Sequence, residues 1–175
     1  MNAETSADAG SLLVRLGGFF DRFDAAFVTF DGAEIAARYA APYLACRADG
    51  SAQSFSDPES ISRYFQRVVD DYHSGGVRSC SHSALSIQSL GGRHVLATVN
   101  WHLSDSNGAE VSAWRESYVL AESDLDFLIR SSIDHPACVV TRPEETGDPT
   151  ALGDAPHVGN EHMILDRRGK DWGSG

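Results

Sequence analysis

An α+β fold with a single domain over residues 11–136 is predicted by three features of the sequence. Apolar residues recur at helical spacing in two segments of the first half of the chain. From residue 78 the apolar period changes to two, which is the period of a half-buried strand. The turns between these later segments are short, and short connections join antiparallel neighbours. The sequence therefore predicts the order α-α-β-β-α-β-β-β-β with an antiparallel sheet.

The first two helices are predicted from an apolar stripe and a capping pattern. The stripe over residues 11–30 consists of Leu16, Phe20, Phe23, Phe27 and Phe30. Asp31 then precedes Glu34 by the spacing of a capping box, which predicts the start of a second, shorter helix. We expect Ile35 and Tyr39 on its buried side and Pro42 at its end, because proline disfavours helical geometry in the preceding residue.

A hairpin and the most regular helix of the chain follow. Asp49-Gly50 favours a tight turn between short strands at 43–48 and 51–55. Ser56-Asp57-Pro58-Glu59 then supplies a cap, a first-turn proline and early acidic charge. The apolar positions that follow at helical spacing are Ile61, Tyr64, Phe65, Val68, Val69 and Tyr72. The helix is expected to stop at Gly75-Gly76.

Four strands are predicted from residue 79 onward, at about 79–90, 94–104, 111–121 and 126–134. Glycine, asparagine, serine and acidic residues form the turns between them. These strands exceed the usual five or six residues, so we expect a long, strongly bent sheet.

Both ends of the chain differ in composition from the domain. Residues 1–10 are small and polar, without the basic start and apolar run of a signal peptide, which predicts a disordered lead-in to a cytoplasmic protein. Residues 137–175 have few large apolar side chains, which predicts an extended or partly disordered tail.

Charge and composition argue against several classes of partner. Fourteen basic and 25 acidic residues give a net charge of -11, which would repel a phosphate backbone, so we expect no nucleic-acid partner. No stretch approaches the roughly 20 apolar residues of a membrane span, so no membrane partner is expected. Cys46, Cys80 and Cys138 are isolated, which favours buried free thiols.

The element order resembles the nuclear transport factor 2-like superfamily over roughly residues 11–135. Three segments are similar to its polyketide cyclase-like (SnoaL-like) branch: Phe19 to Phe23, Val99 to Leu103, and Phe127 to Arg130 with the residues up to His135. The resemblance implies a cone-shaped fold, in which a curved sheet wraps around three helices and a pocket opens at the wide end. It also implies a homodimer formed through the sheet. The fold hosts many activities and does not identify a reaction.

Two interpretations of the sheet faces remain open, since alternate side chains point to opposite faces. Apolar content places the odd-numbered face, with Val99 and Trp101, against the helices, and leaves Asn100, His102, Arg115 and Arg130 in solvent. The family pattern gives the reverse: the even-numbered face lines the pocket, and a second subunit covers the exposed aromatic residues. We favour the family pattern.

The part of the candidate site that lies on the sheet follows from that choice. Asp24 lies at the edge of the first apolar stripe and His102 on the even-numbered face, so these two are the candidate catalytic residues. The candidate ligand-binding residues are Tyr39, Tyr43, Asn100, Arg115 and Arg130. Each also has a structural interpretation, as core packing or as a solvated surface group. His82 and Cys80 share a face but are too few to form a zinc site, so no metal is predicted.

Two functions are consistent with these residues. The first is a small-molecule-binding protein of the SnoaL-like type for a compact, mostly apolar ligand with polar handles. As an enzyme it would catalyse cofactor-free isomerisation, dehydration or cyclisation, with His102 or Asp24 moving the proton and Tyr39, Asn100 or Arg115 stabilising the oxyanion. The alternative is a non-catalytic dimerisation or interaction module.

A chain that ends at Pro136 tests whether the predicted tail has a structural role. If the tail docks on the domain or across a dimer, its removal lowers the melting temperature or dissociates the dimer. Thermal unfolding and size-exclusion chromatography measure both effects. A shortened chain that stays dimeric, soluble and equally stable contradicts that role.

Overall fold

Nine helices and strands follow one another in the computed structural model, which describes residues 3–124 and 126–136, with side chains from residue 10 onward. The helices are α1 (Ala3–Phe27), α2 (Gly32–Ala36) and α3 (Pro58–Ser74). The strands are β1 (Tyr39–Cys46), β2 (Ala52–Phe55), β3 (Ser79–Gly91), β4 (His94–Ser104), β5 (Glu110–Glu122) and β6 (Phe127–Asp134). The predicted α+β element order is confirmed.

The predicted caps start two of the helices. The Asp31 side chain accepts a hydrogen bond from the Ala33 N–H at 2.8 Å and starts α2. The Asp57 side chain accepts one from the Ser60 N–H at 2.8 Å and starts α3, with Pro58 in its first turn. Each cap satisfies an N–H group that the helix itself leaves without a partner.

Several boundaries differ from those predicted. Helix α1 begins at Ala3, inside the ten residues predicted as a disordered lead-in, and ends at Phe27. Helix α2 has only five residues, so Tyr39 opens strand β1 and does not continue the helix. Pro42 lies within β1, after a cis peptide bond from Ala41. The spacing of four residues between Ile35 and Tyr39 therefore does not indicate one continuous helix, because Ile35 lies in α2 and Tyr39 in β1.

The strands form one curved, open sheet in the order β2-β1-β6-β5-β4-β3. Strand β1 pairs antiparallel with β2, and β3 to β6 pair antiparallel in chain order, as predicted, but β1 pairs with β6 in parallel. The expectation of a wholly antiparallel sheet is corrected by this pair, which makes the sheet mixed. The parallel register places Leu44 opposite Ser131, so the N-terminal hairpin extends the sheet beyond β6.

The odd-numbered face of β4 packs against the helices. Its buried side chains are Val95, Ala97, Val99, Trp101 and Leu103. Tyr118, Phe127 and Ile129 join the same core from β5 and β6. The interpretation that we favoured, with the even-numbered face inside, was wrong, and the one based on apolar content is correct. The odd-numbered face of β4 turns inward because it carries the larger apolar area, including the ring of Trp101. The even-numbered side chains of β4 offer less apolar area to bury.

A bulge at Arg130 changes the phase of β6. Leu120 pairs with Ile129 and Val119 with Ser131, so Arg130 is the extra residue. Beyond it the even-numbered Ser132 is buried, while Ile133 is 41% exposed. A strict alternation along this strand, as predicted, therefore assigns its second half to the wrong faces.

Residues 137–175, with the predicted tail and Cys138, lie outside the described part of the chain. Cys46 and Cys80 are free thiols of intermediate burial. None of the helices described is long and apolar enough to cross a membrane.

Gly32 allows α2 to approach α3 closely, which gives a test of this packing. A Cβ at Gly32 would lie 2.4 Å from Gln66 N and 2.6 Å from Ser62 O, so backbone must shift. Gly32→Ala is expected to lower the free energy of unfolding by about 1–3 kcal/mol. The matched control is Gly17→Ala in α1, where no atom lies within 4 Å. It should stabilise the protein by about 0.5–1 kcal/mol. Urea unfolding measures both, and equal effects contradict the close approach.

Candidate functional site

Asp24 on α1 and His82 on β3 form an ionisable pair at the inner side of the sheet. Asp24 Oδ2 lies 2.8 Å from His82 Nδ1. His82 pairs with Trp101 across the β3–β4 ladder, so both side chains point to the face of the sheet that packs on the helices. This orientation brings His82 of β3 to Asp24 of α1. The two side chains are only 21% and 12% exposed. The structure therefore brings one predicted catalytic residue, Asp24, to a partner that we had not predicted.

Burial raises the pKa of the Asp24 carboxyl above its ordinary value, while the hydrogen bond and charge of His82 oppose that shift. The direction follows from desolvation, which disfavours the charged carboxylate. An acid with a raised pKa is a better proton acceptor once it is ionised. The Asp24–His82 pair thus has the two properties that proton transfer needs, a hydrogen-bonded base and partial shielding from water.

The second carboxylate oxygen, Asp24 Oδ1, is shielded from solvent but has no hydrogen-bond partner among the described residues. A buried polar atom without a partner costs free energy, about 1–3 kcal/mol for a neutral group and more for a charged one. A donor that reached this oxygen would recover that cost. The atom is therefore a point of contact for a ligand hydroxyl or N–H group.

Two aromatic rings lie beside His82 of the Asp24–His82 pair. The imidazole of His82 lies 5.6 Å from the ring of Phe20 and 6.2 Å from that of Trp101. Cys80, two residues before His82, faces the same interior, and burial together with the charges of Asp24 and Glu116 raises the pKa of its thiol. The thiol is therefore a poor nucleophile in this environment.

A chain of hydrogen bonds crosses the interior next to the pair. Trp101 Nε1–H donates to the Tyr118 hydroxyl at 2.8 Å, and Tyr118 in turn is hydrogen-bonded to Glu116. Trp114 Nε1–H donates to Glu116 Oε2 at 3.0 Å. Glu116 is 6% exposed, so these neutral donors stabilise a buried carboxylate. The chain fixes the ring of Trp101, which forms one wall beside His82.

Asp21 completes a group of three possible metal ligands. Asp21, Asp24 and His82 each place a ligand atom within 4.8 Å of the others. Asp21 is exposed, and exposed carboxylates often gather without an ion. The group alone therefore assigns no metal, and the expectation of no metal stays a prediction.

The two predicted tyrosines belong to the core. Tyr39 packs against the rings of Tyr43 and Phe65 at 4.7 and 4.6 Å. The Tyr43 hydroxyl shares a 2.7 Å hydrogen bond with Ser132 Oγ. Both tyrosines are less than a tenth exposed, so the structural interpretation of these residues describes their surroundings.

The other four predicted residues do not line the interior. Asn100 and His102 lie on the outer face of β4, His102 in contact with Ser83 and Glu110. Arg115 is exposed on β5. Arg130 is exposed at the bulge and donates to the Ala41 carbonyl at 3.3 Å. The expectation that they converge on a pocket is corrected, because the aromatic core takes the opposite face of the sheet.

An open cleft of about 350 Å³ lies away from the Asp24–His82 pair. Its walls come from α1, the α2–β1 connection, the β5–β6 turn and the start of β6, and include Phe19, Arg38 and Phe127. Arg22 and Asp126 form a 2.5 Å ion pair across it. This pair ties α1 to the turn, so we interpret the cleft as a structural junction.

His82 was missed because its role depends on register. The sequence shows that His82 shares a face with Cys80, but not that this face lies opposite Trp101 and beside α1. The pairing of β3 with β4 supplies that information. Glu116 was missed for a related reason, since a carboxylate among inward-facing aromatic residues is taken for a surface group unless its donors are known.

A family model described as NTF2-like protein (DUF6841) matches residues 16–137. The chain belongs to this NTF2-like family. No curated protein sequence matches the chain.

Solved structures share the NTF2-like fold at low identity. Aln2 from a Streptomyces species is 15% identical, with a TM-score of 0.59 over 71% of this chain and 90% of that one. A Catenulispora acidiphila protein in complex with S-DNPA is 14% identical, with a TM-score of 0.58 over 72% and 93%. A putative calcium/calmodulin dependent protein kinase II association domain from Xanthomonas campestris is 18% identical, with a TM-score of 0.53 over 71% and 87%. At these identities the likeness shows the fold.

The raised pKa of Asp24 gives a prediction for stability against pH. An acid with a raised pKa in the folded state binds more protons there than in the unfolded chain. Stability therefore falls as the pH rises from the unfolded pKa through the folded one, and the cost persists above it. Asp24→Asn removes this cost, so its free energy of unfolding relative to the wild type should increase between pH 4 and pH 7.

Urea unfolding at several pH values measures this difference. Asp71→Asn is the control, since it removes the same charge from an exposed position on helix α3. If both variants follow the wild type in parallel, burial of Asp24 has no energetic consequence and the prediction is wrong.

Proposed function

We propose that the protein binds a compact, mostly apolar small molecule beside the Asp24–His82 pair and transfers a proton to or from it. The observation that supports this most directly is the 2.8 Å contact between two partly buried ionisable groups, one of which keeps an unpartnered oxygen. Structural roles rarely leave a shielded carboxylate oxygen without a donor. A ligand donor would complete its hydrogen bonding.

The roles of the two residues follow from their chemistry. Asp24 accepts a hydrogen bond from His82 Nδ1–H, which fixes the tautomer and leaves Nε2 as the basic nitrogen. Within the described residues, His82 has no hydrogen bond at Nε2 and no ion pair other than that with Asp24. His82 then removes a proton and Asp24 stabilises the imidazolium. His82 thus takes the role that we had predicted for His102.

The ligand class follows from the walls. Phe20 and Trp101 are aromatic residues beside the imidazole, and a flat, apolar molecule that reached His82 would pack next to their rings. The Catenulispora acidiphila protein of this fold is in complex with S-DNPA, which supports a ligand-binding role. Isomerisation, dehydration or cyclisation without a cofactor is the class of chemistry that an acid–base pair alone supports.

The homodimer and the cytoplasmic location stay predictions. One argument for a dimer, an exposed row of aromatic residues, no longer applies, because Trp101, Tyr118 and Phe127 are in the core. The interaction-module alternative predicts that both members of the Asp24–His82 pair can be replaced without effect on any reaction.

Turnover of 5-nitrobenzisoxazole tests the proposal. Removal of one proton opens its ring to a coloured nitrophenol, so the compound reports a base beside an apolar surface without knowledge of the natural substrate. We expect the protein to open the ring faster than the same concentration of free imidazole does. His82→Gln and Asp24→Asn should each reduce the rate by about 10²-fold, the usual contribution of a general base.

Asp71→Asn, which removes an exposed carboxylate from helix α3, is the control and should keep the rate. Circular dichroism establishes that each variant is folded. No acceleration over imidazole, or equal losses in Asp71→Asn and Asp24→Asn, would show that the Asp24–His82 pair is not a catalytic base.

A further inference from the structure

A second cluster of reactive side chains lies on the outer face of the sheet. Ser83 Oγ is 2.9 Å from His102 Nε2, and His102 Nδ1 is 2.9 Å from Glu110 Oε2. Serine, imidazole and carboxylate thus stand in one hydrogen-bonded line, with the histidine in the centre. Ser83 is exposed, and His102 and Glu110 are 35% and 58% exposed. A substrate can therefore reach the hydroxyl from solvent.

The strand register brings these three residues together. Ser81 pairs with His102 and Ser83 with Asn100, so Ser83 and His102 are diagonal neighbours on one face. The β4–β5 turn returns the chain so that Glu110 pairs with Ser104, beside His102. The β3–β4 register shifts directly after Ser83, where Ala84 adopts a φ of 53°. The shift interrupts the ladder next to the hydroxyl.

The order of the bonds gives each residue a chemical role. The Glu110 carboxylate can only accept, so His102 Nδ1 carries the hydrogen and Nε2 is left to accept the hydroxyl hydrogen of Ser83. This is the arrangement that activates a serine nucleophile: a base within hydrogen-bond reach, oriented by a third group. The geometry of a triad is recognised by these roles and not by chain order.

Two further side chains continue the row across the sheet. Asn100 lies opposite Ser83, and within the described residues its amide makes no hydrogen bond. Arg115 lies opposite Asn100, exposed, and its guanidinium makes no ion pair in that part of the chain. Cross-strand neighbours have Cβ atoms about 5 Å apart, so the amide can reach a carbonyl oxygen at Ser83. Arg115 is two strands away, at roughly 10 Å.

We propose that this outer face hydrolyses small carboxylic esters that carry a negative charge. Ser83 Oγ attacks the carbonyl carbon while its proton passes to His102 Nε2, and the Asn100 amide donates to the oxyanion. The bond to the alcohol breaks, and the departing oxygen takes the proton from His102. Water then attacks the acyl group with His102 as the base, which releases the acid and restores the hydroxyl. Arg115 binds the anionic group of the substrate.

The outer cluster is independent of the Asp24–His82 pair. His82 and Ser83 are consecutive residues of β3 and face opposite sides of the sheet, since His82 contacts Trp101 in the core and Ser83 contacts His102 outside. The proposal therefore holds or fails without reference to the first site.

Hydrolysis of mono-4-nitrophenyl succinate by the full chain tests the proposal, with neutral 4-nitrophenyl acetate for comparison. Ser83→Ala and His102→Gln should each lower kcat/KM by at least about 10²-fold, and Glu110→Gln by about tenfold. Arg115→Gln should raise KM for the anionic ester and leave that for the acetate unchanged. A fluorophosphonate should modify Ser83, as located by peptide mass spectrometry.

Two controls match these variants on the same strands. Ser86→Ala removes an exposed hydroxyl from the same face of β3, and His94→Gln an exposed imidazole at the start of β4. Both should keep the wild-type rate. Undiminished hydrolysis in Ser83→Ala, a loss of equal size in His94→Gln, or no modification of Ser83 would overturn the assignment. All these positions are exposed or half-buried, so unfolding does not confound the comparison.

Discussion

Burial of Trp101 against helix α1 is the interaction on which the rest of the structure depends. Its ring lies 6.2, 5.3 and 5.6 Å from those of Phe20, Phe23 and Phe27, so one residue of β4 contacts three turns of the helix. A buried aromatic side chain removes roughly 150–250 Å² from water, which at about 25 cal/mol per Å² corresponds to about 4–6 kcal/mol. Once Trp101 faces inward, the pleat places His82 inside and Asn100 and His102 outside.

Most helices and strands of this fold could be predicted from the sequence, because they depend on local signals. The cap at Asp57, the apolar spacing of α3 and the period-two runs each depend on residues close together in the chain, and all three predicted the observed elements. Helix α2 was predicted too long, because Ile35 and Tyr39 are spaced as on one helical face although the helix ends at Ala36 and Tyr39 opens a strand. The parallel pairing of β1 with β6 involves residues about 90 positions apart, and no local pattern predicts it.

The candidate site was only partly predictable, for the same reason. Alternation divides a strand into two sets of side chains, but it does not say which set is inside. For β4 the apolar content predicted the buried face correctly, and the family pattern predicted the opposite face. For β6 neither argument suffices, because the bulge at Arg130 exchanges the faces halfway along the strand. Asp24 was identified from the edge of its own helix, whereas its partner His82 is defined by cross-strand register.

Register also explains why one sheet can hold two separate candidate sites. A strand sends consecutive side chains to opposite faces. His82 therefore lies in the apolar interior and Ser83 in water, although the two residues are adjacent in the chain. Inside, desolvation raises the pKa of Asp24, so its ionised carboxylate is a stronger hydrogen-bond acceptor for His82. Outside, water screens His102 and Glu110, and their contribution must come from geometry, namely a fixed tautomer and a hydroxyl 2.9 Å away. The inner pair therefore depends on the packing of Trp101, while the outer cluster depends only on the pairing of β3, β4 and β5. A substitution that disrupts the packing of the aromatic core should thus affect the Asp24–His82 pair more than the outer cluster.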